Sequence, residues 1–236
     1  MPLLAVEHVT RRFGGVVALD DVSLGVDRGD IAGLIGPNGA GKTTLFNLVT
    51  RLYRPDSGDI VFDGESLLRT PPHKVVVRGI ARTFQNVELF GSMTVLENVL
   101  VGAHTRTGDR DAREILDYVG LAELARRPAA DLPFGTMKRV ELARALVSQP
   151  RLLLLDEPAA GLNHAEVEEL ASFIRRVRGA FDLTLLLVEH HMNLVMGVAD
   201  RVHVLDFGKK IAEGAPAEVQ RNPAVIEAYL GAEAAA

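Results

Sequence analysis

The amino-acid sequence predicts an α/β fold in which helices cover both faces of a parallel sheet. Short apolar runs, ending in a glycine or an acidic pair, alternate along much of the chain with segments of helical periodicity. Strands that alternate with helices in this way usually pair in parallel and are buried on both sides. The 236 residues, of which 47% are apolar and 24% charged, suffice for one core with a smaller lobe attached.

The first third of the chain predicts an antiparallel sheet and the first strand–helix unit of the core. Alternating apolar and polar residues indicate strands at 3–9 and 22–26, with the turn-forming Phe13-Gly14-Gly15 between them. The segment IAGLIG is a buried-strand pattern, and SGDIVFDGESL is a hairpin pattern. After IAGLIG, apolar residues at helical spacing predict one buried helix face, formed by Leu45, Leu48, Val49 and Leu52.

The middle of the chain is helical, and the last third returns to strands and helices. Thr94 and Glu97 have the spacing of a capping box, and residues 109–119 predict a helix stopped by Gly120. Beyond Pro150 the predicted elements are RLLLLDEP, a helix at 165–178, LTLLLVEH, a short helix and the hairpin RVHVLDFGKKIAEG. We therefore expect a single domain, 1–236, with a core formed by 1–85 and 150–236 and a helical subdomain at 86–149.

A glycine-rich segment, GPNGAGKTT, matches G-x-x-x-x-G-K-[ST] and lies between a predicted strand and a predicted helix, as this pattern requires. Its glycines allow backbone N–H groups to surround phosphate oxygens, and the following helix adds its positive dipole end. Lys42 is suited to the β- and γ-phosphates, and the Thr43 hydroxyl to Mg²⁺. The alternative is a glycine-rich turn with an incidental lysine. The predicted nucleotide-binding residues here are Gly36, Pro37, Asn38, Gly39, Ala40, Gly41, Lys42, Thr43 and Thr44.

An acidic pair follows the apolar run 152–155, where α/β sheets place their chemistry. Asp156 is suited to hold Mg²⁺ through water, and Glu157 to act as general base toward an attacking water. Taken alone, such a pair is more often an exposed strand end. The phosphate loop upstream favours the catalytic interpretation.

The composition excludes several classes of protein. The net charge of −5 argues against a nucleic-acid binder, which usually has a basic face. The absence of cysteine excludes disulfides and thiolate metal sites. The beginning of the sequence lacks a signal-peptide pattern, and no apolar run approaches the roughly 20 residues of a membrane span. We therefore expect a cytosolic protein, held at any membrane by a partner.

Taken in order, these motifs resemble those of the ATPase subunits of ABC transporters, over nearly the whole chain from Leu3 to Gly231. The matching segments are GPNGAGKTT, RTFQ, LPFGTMKRVELARAL, LLLLDEPAAGLN and LLLVEHHM. The resemblance implies a RecA-like P-loop NTPase core with an antiparallel β subdomain and an inserted helical subdomain. It also implies an ATP hydrolase that uses ATP and Mg²⁺. One alternative, a DNA-repair ATPase, would need a long heptad insert or a basic surface, and neither is present. A second alternative, a P-loop kinase, would need an acceptor-binding lid, and the glutamate after Asp156 together with the signature segment argues against it.

The resemblance also implies roles for single residues. Phe13 corresponds to the aromatic residue that stacks on adenine, although a core or turn phenylalanine is the alternative. Gln85 corresponds to the glutamine that contacts Mg²⁺ and the attacking water; a surface amide is the alternative. His190 corresponds to the histidine that bonds the γ-phosphate and the catalytic glutamate, with His191 as a weaker candidate. Asn163 stands where the family has an aspartate, so a charged contact with the opposite subunit is not expected there.

Several segments narrow the resemblance to the ATPases of branched-chain amino acid importers: RTFQNVELFGSMTVLENVLVGAH, EPAAGLN, EHHMNLVM and NPAVIEAYLG. Such systems imply a second, different ATPase subunit in a heterodimer, two membrane permeases and an external solute-binding protein. This chain would then lie at the cytoplasmic face of the membrane, held by the permeases. Importers of urea or short-chain amides use similar ATPases, so the solute stays open.

The segment 132–136, LPFGT, stands where the family has L-S-G-G-Q, a helix start that caps the ATP of the opposite subunit. Pro133 lacks the serine hydroxyl and an N–H. Because a hydrogen bond to a charged group contributes roughly 1.5–3 kcal/mol, we expect a cap weaker by about one to two decades. Gly135 and Thr136 are expected to keep backbone donors for the nucleotide. The alternative is that proline is tolerated because the helix dipole and the glycine amide suffice.

The apolar residues that follow Gln85 stand where this family receives a short helix of the permease. They are Val87, Leu89 and Phe90. The alternative is that they pack into the core of the helical lobe itself.

Overall fold

The computed structural model describes residues 1–85, 87–105 and 112–233 of the chain. Its strands are β1 (Leu4–Phe13), β2 (Val16–Val26), β3 (Ile31–Ile35), β4 (Ser57–Phe62), β5 (Glu65–Ser66), β6 (Ile80–Arg82), β7 (Leu152–Asp156), β8 (Thr184–Val188), β9 (Arg201–Asp206) and β10 (Lys209–Gly214). Its helices are α1 (Lys42–Val49), α2 (Val95–Gly102), α3 (Ala112–Tyr118), α4 (Phe134–Leu146), α5 (His164–Phe181), α6 (Met192–Val198), α7 (Pro216–Val219) and α8 (Pro223–Glu233). Short 3₁₀ turns connect several of these elements.

The strands form two sheets. The first is antiparallel, in the order β2-β1-β4-β5. The second has the order β10-β9-β3-β8-β7-β6, in which all neighbours pair in parallel except β10, which is antiparallel to β9 at one edge. The predicted α/β fold with a separate antiparallel sheet is therefore confirmed.

The inner strands of the second sheet are buried on both faces, as predicted. Along β7 and β8, alternate leucines belong to two different apolar clusters. Leu153, Leu155, Leu185 and Leu187 pack toward α4, α5 and α6. Leu152, Leu154, Leu186 and Val188 pack toward α1 and the antiparallel sheet. The sheet thus lies between two apolar layers, and the carboxyl ends of its parallel strands meet at one edge.

Helices α2, α3 and α4 lie between β6 and β7 in the chain and pack on one another. The capping box that begins α2 is confirmed: Thr94 Oγ1 accepts from the Glu97 N–H at 3.2 Å, and the Glu97 carboxylate accepts from the Thr94 N–H at 2.8 Å. The helix predicted at 109–119 is observed from Ala112, and residues 109–111 lie outside the described residues. Within the described part of the chain, no helix combines the length and apolar character needed to cross a bilayer.

Two predictions near the amino terminus were wrong in extent. Strand β1 continues past residue 9 to Phe13, and β2 begins at Val16, because the two strands stay paired up to the turn at Gly14-Gly15. Leu52 does not belong to the buried face of α1, since this helix ends at Val49 and Leu52 is 58% exposed. Arg51 adopts a left-handed backbone conformation there and turns the chain away.

Candidate functional site

The glycine-rich segment joins the end of β3 to the start of α1, as the sequence predicts. Gly36, Gly39 and Gly41 all have positive φ, in a region that favours glycine. A Cβ at Gly36 would collide with the Leu205 carbonyl oxygen, and one at Gly41 with the Ala18 carbonyl oxygen. The loop conformation thus depends on glycine at both positions.

Lys42 is the first residue of α1, and its side chain folds back into the loop. The ammonium group donates to the carbonyl oxygen of Gly36 at 2.6 Å and to that of Pro37 at 2.9 Å. Burial lowers the pKa of Lys42, and the nearby Glu157 and Asp156 oppose this shift. A cation in a glycine loop at a helix N-terminus forms a site for a polyphosphate anion.

Asp156 ends β7 and pairs with an arginine that the sequence analysis did not consider. Its Oδ2 lies 2.7 Å from Nη2 of Arg82, and both side chains are 7% exposed. Arg82 also donates to Oδ1 of Asn47 at 2.7 Å, so it connects β6, β7 and α1. No spacing along the chain indicates this pair, which forms because β6 and β7 are neighbours in the sheet.

Three predicted catalytic residues meet at one carboxylate. Gln85 donates from Nε2 to Oε2 of Glu157 at 2.8 Å, and Nδ1 of His190 lies 3.7 Å from the same oxygen. The backbone of Glu157 is left-handed, with φ 46°, and its N–H donates to the Val188 carbonyl at 2.9 Å. The three residues follow β6, β7 and β8, which are adjacent, so the sheet edge brings them together.

The predicted magnesium ligands, Thr43, Gln85 and Asp156, offer a hydroxyl, an amide oxygen and a carboxylate. Such oxygen donors suit Mg²⁺. Gln85 uses its amide nitrogen toward Glu157, which leaves its oxygen for another partner. One Asp156 oxygen already binds Arg82, a constraint that the sequence analysis did not anticipate.

The two histidines after β8 lie side by side, with ring centroids 4.5 Å apart. His190 faces the Glu157 carboxylate, whereas the backbone of His191 begins α6. Between these histidines and β8 lies Glu189, which has no exposed surface and which the sequence analysis passed over.

Phe13 is the last residue of β1 and is 39% exposed, so it is not a core residue. Its ring packs edge-on against Tyr53, with centroids 5.2 Å apart, and the Arg11 guanidinium carbon lies 4.6 Å from its centroid. Tyr53 and Arg11 were not recognised in the sequence. The adenine-stacking role of Phe13 remains a prediction.

Helix α4 begins at the LPFGT segment, with Pro133 as its N-cap and no side-chain capping bond. The Pro133 carbonyl accepts from the N–H of Thr136 at 2.9 Å and from that of Met137 at 3.0 Å. The Thr136 N–H is thus used within the start of the helix, and its role as a donor to a nucleotide stays a prediction. Among the described residues, the Gly135 N–H has no backbone acceptor, and it stays a candidate donor.

Helix α4 is also bonded to the segment around Gln85. The Phe84 N–H donates to Oε1 of Glu141 at 3.0 Å, and Arg144 donates to the Glu88 carbonyl at 2.6 Å. Burial raises the pKa of Glu141, while the Phe84 N–H, Arg144 and Lys138 oppose this shift. Phe84 and Glu88, on either side of this part of the chain, are thus each bonded to α4.

The apolar residues after Gln85 differ in exposure. Leu89 is partly buried against the core, which supports the packing alternative for this residue. Phe90 is 50% exposed, and Val87 is half-buried. Of these three residues, Phe90 is thus the most exposed.

Asn163 has a local role that the sequence analysis missed. Its side chain accepts from the Glu166 N–H at 3.1 Å, and the Glu166 carboxylate accepts from the Asn163 N–H at 2.8 Å. This capping box begins α5, and asparagine serves it as well as aspartate.

Comparisons with known proteins found relatives that cover nearly the whole chain. Residues 19–160 match the model of the ABC transporter family, and residues 209–235 match a family described as branched-chain amino acid ATP-binding cassette transporter. The chain is 43% identical to the high-affinity branched-chain amino acid transport ATP-binding protein BraF of Pseudomonas aeruginosa. It is 45% identical to the corresponding protein LivG of Salmonella typhimurium. Each alignment covers 98% of both chains.

Solved structures show the same fold. The ADP conformation of an ATP-binding cassette of an ABC transporter superposes with a TM-score of 0.89, at 32% identity, over 98% of this chain and 99% of that one. The cbiO1 protein of Clostridium perfringens, part of an ABC transporter complex, gives a TM-score of 0.85 at 30% identity, over 96% and 93% of the two chains.

Proposed function

Since this chain belongs to the ABC transporter family, we propose that it is the ATP-binding subunit of an importer of branched-chain amino acids. The observation that carries the proposal is the Glu157 carboxylate, bonded by Gln85 and faced by His190 beside a complete phosphate loop. The substrate class rests on the branched-chain amino acid transport function in the names of the relatives and on the match of residues 209–235.

Nucleotide binding follows from the loop 36–44 and the first turn of α1. The backbone N–H groups of the loop, the N-terminus of α1 and the Lys42 ammonium all favour phosphate oxygens. Lys42 now donates to two loop carbonyls, so we expect it to exchange these bonds for bonds to the β- and γ-phosphates. Phe13 would support the adenine from the end of β1.

Hydrolysis requires a base toward water and stabilisation of the γ-phosphate. Glu157 accepts the proton of the attacking water, and Gln85 holds the carboxylate in place through its amide. His190, close to the same carboxylate, donates to the γ-phosphate. Thr43, Gln85 and Asp156 would hold a Mg²⁺ ion, which supplies neutralisation of the phosphate charge.

Transport ATP-binding subunits work with membrane permeases. We further propose that this chain pairs with a second, different ATPase subunit and lies at the cytoplasmic face of the membrane. An external solute-binding protein would deliver the amino acid to the permeases. The LPFGT segment supports an asymmetric pair, because its helix start has no hydroxyl cap.

The test is calorimetry with Mg-ATP on the intact chain, followed by reconstitution with the permeases of its transporter. We expect the unaltered chain to bind Mg-ATP and Lys42→Ala to lose this binding. Lys209→Ala is the control and should bind Mg-ATP, since Lys209 is an exposed lysine paired with Asp20. Leucine, isoleucine or valine with the solute-binding protein should stimulate ATPase activity. Stimulation by urea or a short-chain amide instead would contradict the proposed substrate, and no Mg-ATP binding would overturn the whole proposal.

A further inference from the structure

Glu189 is a buried carboxylate that none of the proposed steps uses. It follows β8 directly and has no exposed surface. A buried charge is costly unless several hydrogen bonds compensate it, so its partners should be specific. Three backbone N–H groups donate to its two oxygens. The Ala159 N–H lies 2.6 Å from Oε1, and those of His190 and His191 lie 3.0 Å and 3.2 Å from Oε2.

These donors come from two separate loops that carry proposed catalytic groups. Ala159 is fully buried two residues after Glu157, in the loop that follows β7. His190 belongs to the loop after β8. Oε1 of Glu189 thus binds the loop after β7, and Oε2 binds the loop after β8. The carboxylate therefore fixes the distance between the two loops at the place where Nδ1 of His190 lies 3.7 Å from the Glu157 carboxylate.

The loop after β7 is also held from its other side. Lys138 of α4 donates to the Pro158 carbonyl at 2.9 Å. Burial lowers the pKa of Lys138, and Glu189 is the carboxylate that opposes this most. The loop is therefore bonded through its N–H to Glu189 and through its carbonyl to α4, which leaves Glu157 little freedom to shift.

From these contacts we infer that Glu189 is a positioning residue, which sets the distance between Glu157 and His190 and so the rate of ATP hydrolysis. The inference rests on the roles proposed for Glu157 and His190. A carboxylate suits this position because both of its oxygens accept. An amide offers one accepting oxygen and an NH₂ group that would face a backbone N–H. An aspartate of the same charge is shorter by one CH₂ and cannot reach both loops.

The experiment compares Glu189→Gln with the unaltered chain in the reconstituted transporter, with kcat, KM and Tm as readouts. Because a misplacement of about 1 Å can cost about 10²-fold, we expect kcat to fall by about one to two decades while KM and Mg-ATP affinity stay within about twofold. The matched control is Thr184→Val, at the other end of β8, where the buried Thr184 hydroxyl accepts from the Gly29 N–H at 2.9 Å. It should lower Tm similarly and leave kcat unchanged.

Each result decides the inference. A Glu189→Gln chain with kcat within about twofold of the unaltered chain overturns it, as does a kcat loss that Thr184→Val reproduces at equal Tm. If Glu189→Gln does not fold, Glu189→Asp replaces it with the same expected loss of kcat. If neither folds, Glu189 is a stability residue and the inference fails. Full activity of Glu157→Gln would instead overturn the proposed mechanism itself.

Discussion

The Gln85 amide nitrogen donates to Oε2 of Glu157 at 2.8 Å, although 72 positions separate the two residues in the chain. The bond joins the loops after β6 and β7, which are neighbours in the sheet. Phe84 and Glu88 are in turn bonded to α4 through Glu141 and Arg144. Gln85 thus lies between the Glu157 carboxylate, which it bonds, and α4, to which its neighbour Phe84 is bonded.

Replacing Glu157 by Gln should abolish hydrolysis and preserve nucleotide binding. The amide is isosteric but cannot accept a proton, and general-base catalysis typically contributes about 10²–10⁴-fold. Steady-state ATPase assays and Mg-ATP calorimetry on the same preparation measure both properties. Glu168→Gln is the matched control, because this glutamate is exposed on α5 and faces His164. A Glu157→Gln chain that hydrolyses at the unaltered rate would show that another group is the base.

Most elements and motifs could be predicted because they depend on local rules. The loop 36–44 needs glycines at fixed spacing, and the Thr94 and Glu97 capping box involves residues three apart. The misplacement of Leu52 is also local, because helical spacing alone does not show where Arg51 turns the chain.

The contacts between residues that are far apart in the chain could not be predicted. Arg82 reaches Asp156, and Glu189 reaches Ala159, only because the order of β6, β7 and β8 brings their ends together. Nothing in the spacing of these residues along the chain indicates the pairs. Sequence patterns therefore identified Glu157 and His190 but not the buried groups that hold them.

His203 should make stability depend on pH. It lies fully buried in β9, and its Nε2 donates to the Gly25 carbonyl at 3.0 Å, which connects the two sheets. Burial lowers the pKa of His203 below 6.5, despite the opposing effects of Glu213 and the Gly25 carbonyl. The unfolded chain then binds a proton that the folded chain resists, so the free energy of unfolding should decrease as pH falls below about 6.5.

Thermal unfolding at a series of pH values from about 7.5 down to about 5 measures this effect. One proton gives a slope of at most about 1.4 kcal/mol per pH unit, and His203→Gln should lose that part of the slope while keeping an amide donor for Gly25. His164→Gln is the matched control, because it replaces an exposed histidine, which lies 3.5 Å from Glu168. Equal slopes for His203→Gln and the unaltered chain would contradict the prediction.

Phe90→Glu should weaken the contact with the permease and leave ATP binding intact. Phe90 is half exposed and lies after Gln85, whereas Leu89 packs against the core and would report on stability instead. An exposed aromatic anchor can contribute about 2 kcal/mol or more, so affinity for permease vesicles should fall by about thirtyfold. Val77→Glu is the control, since this exposed valine lies before β6, whereas Phe90 lies after it. Retained transport by Phe90→Glu would refute the assignment.

Pro133→Ser should raise ATP turnover in the proposed heterodimer. As the N-cap of α4, serine could accept from a helix N–H in the free chain, and in the assembled pair its hydroxyl could donate to the γ-phosphate of the opposite subunit. Because Thr136 donates to the Pro133 carbonyl, Gly135 provides the remaining backbone candidate, and an added hydroxyl should matter more. A bond to a charged group contributes roughly 1.5–3 kcal/mol, which sets an upper limit of about one to two decades on the gain.

ATPase and transport are measured beside Pro133→Ala, which lacks the hydroxyl and should give little or no gain. If Pro133→Ser leaves both activities unchanged or lowers them, proline does not weaken the cap, and the helix dipole with the Gly135 amide is sufficient.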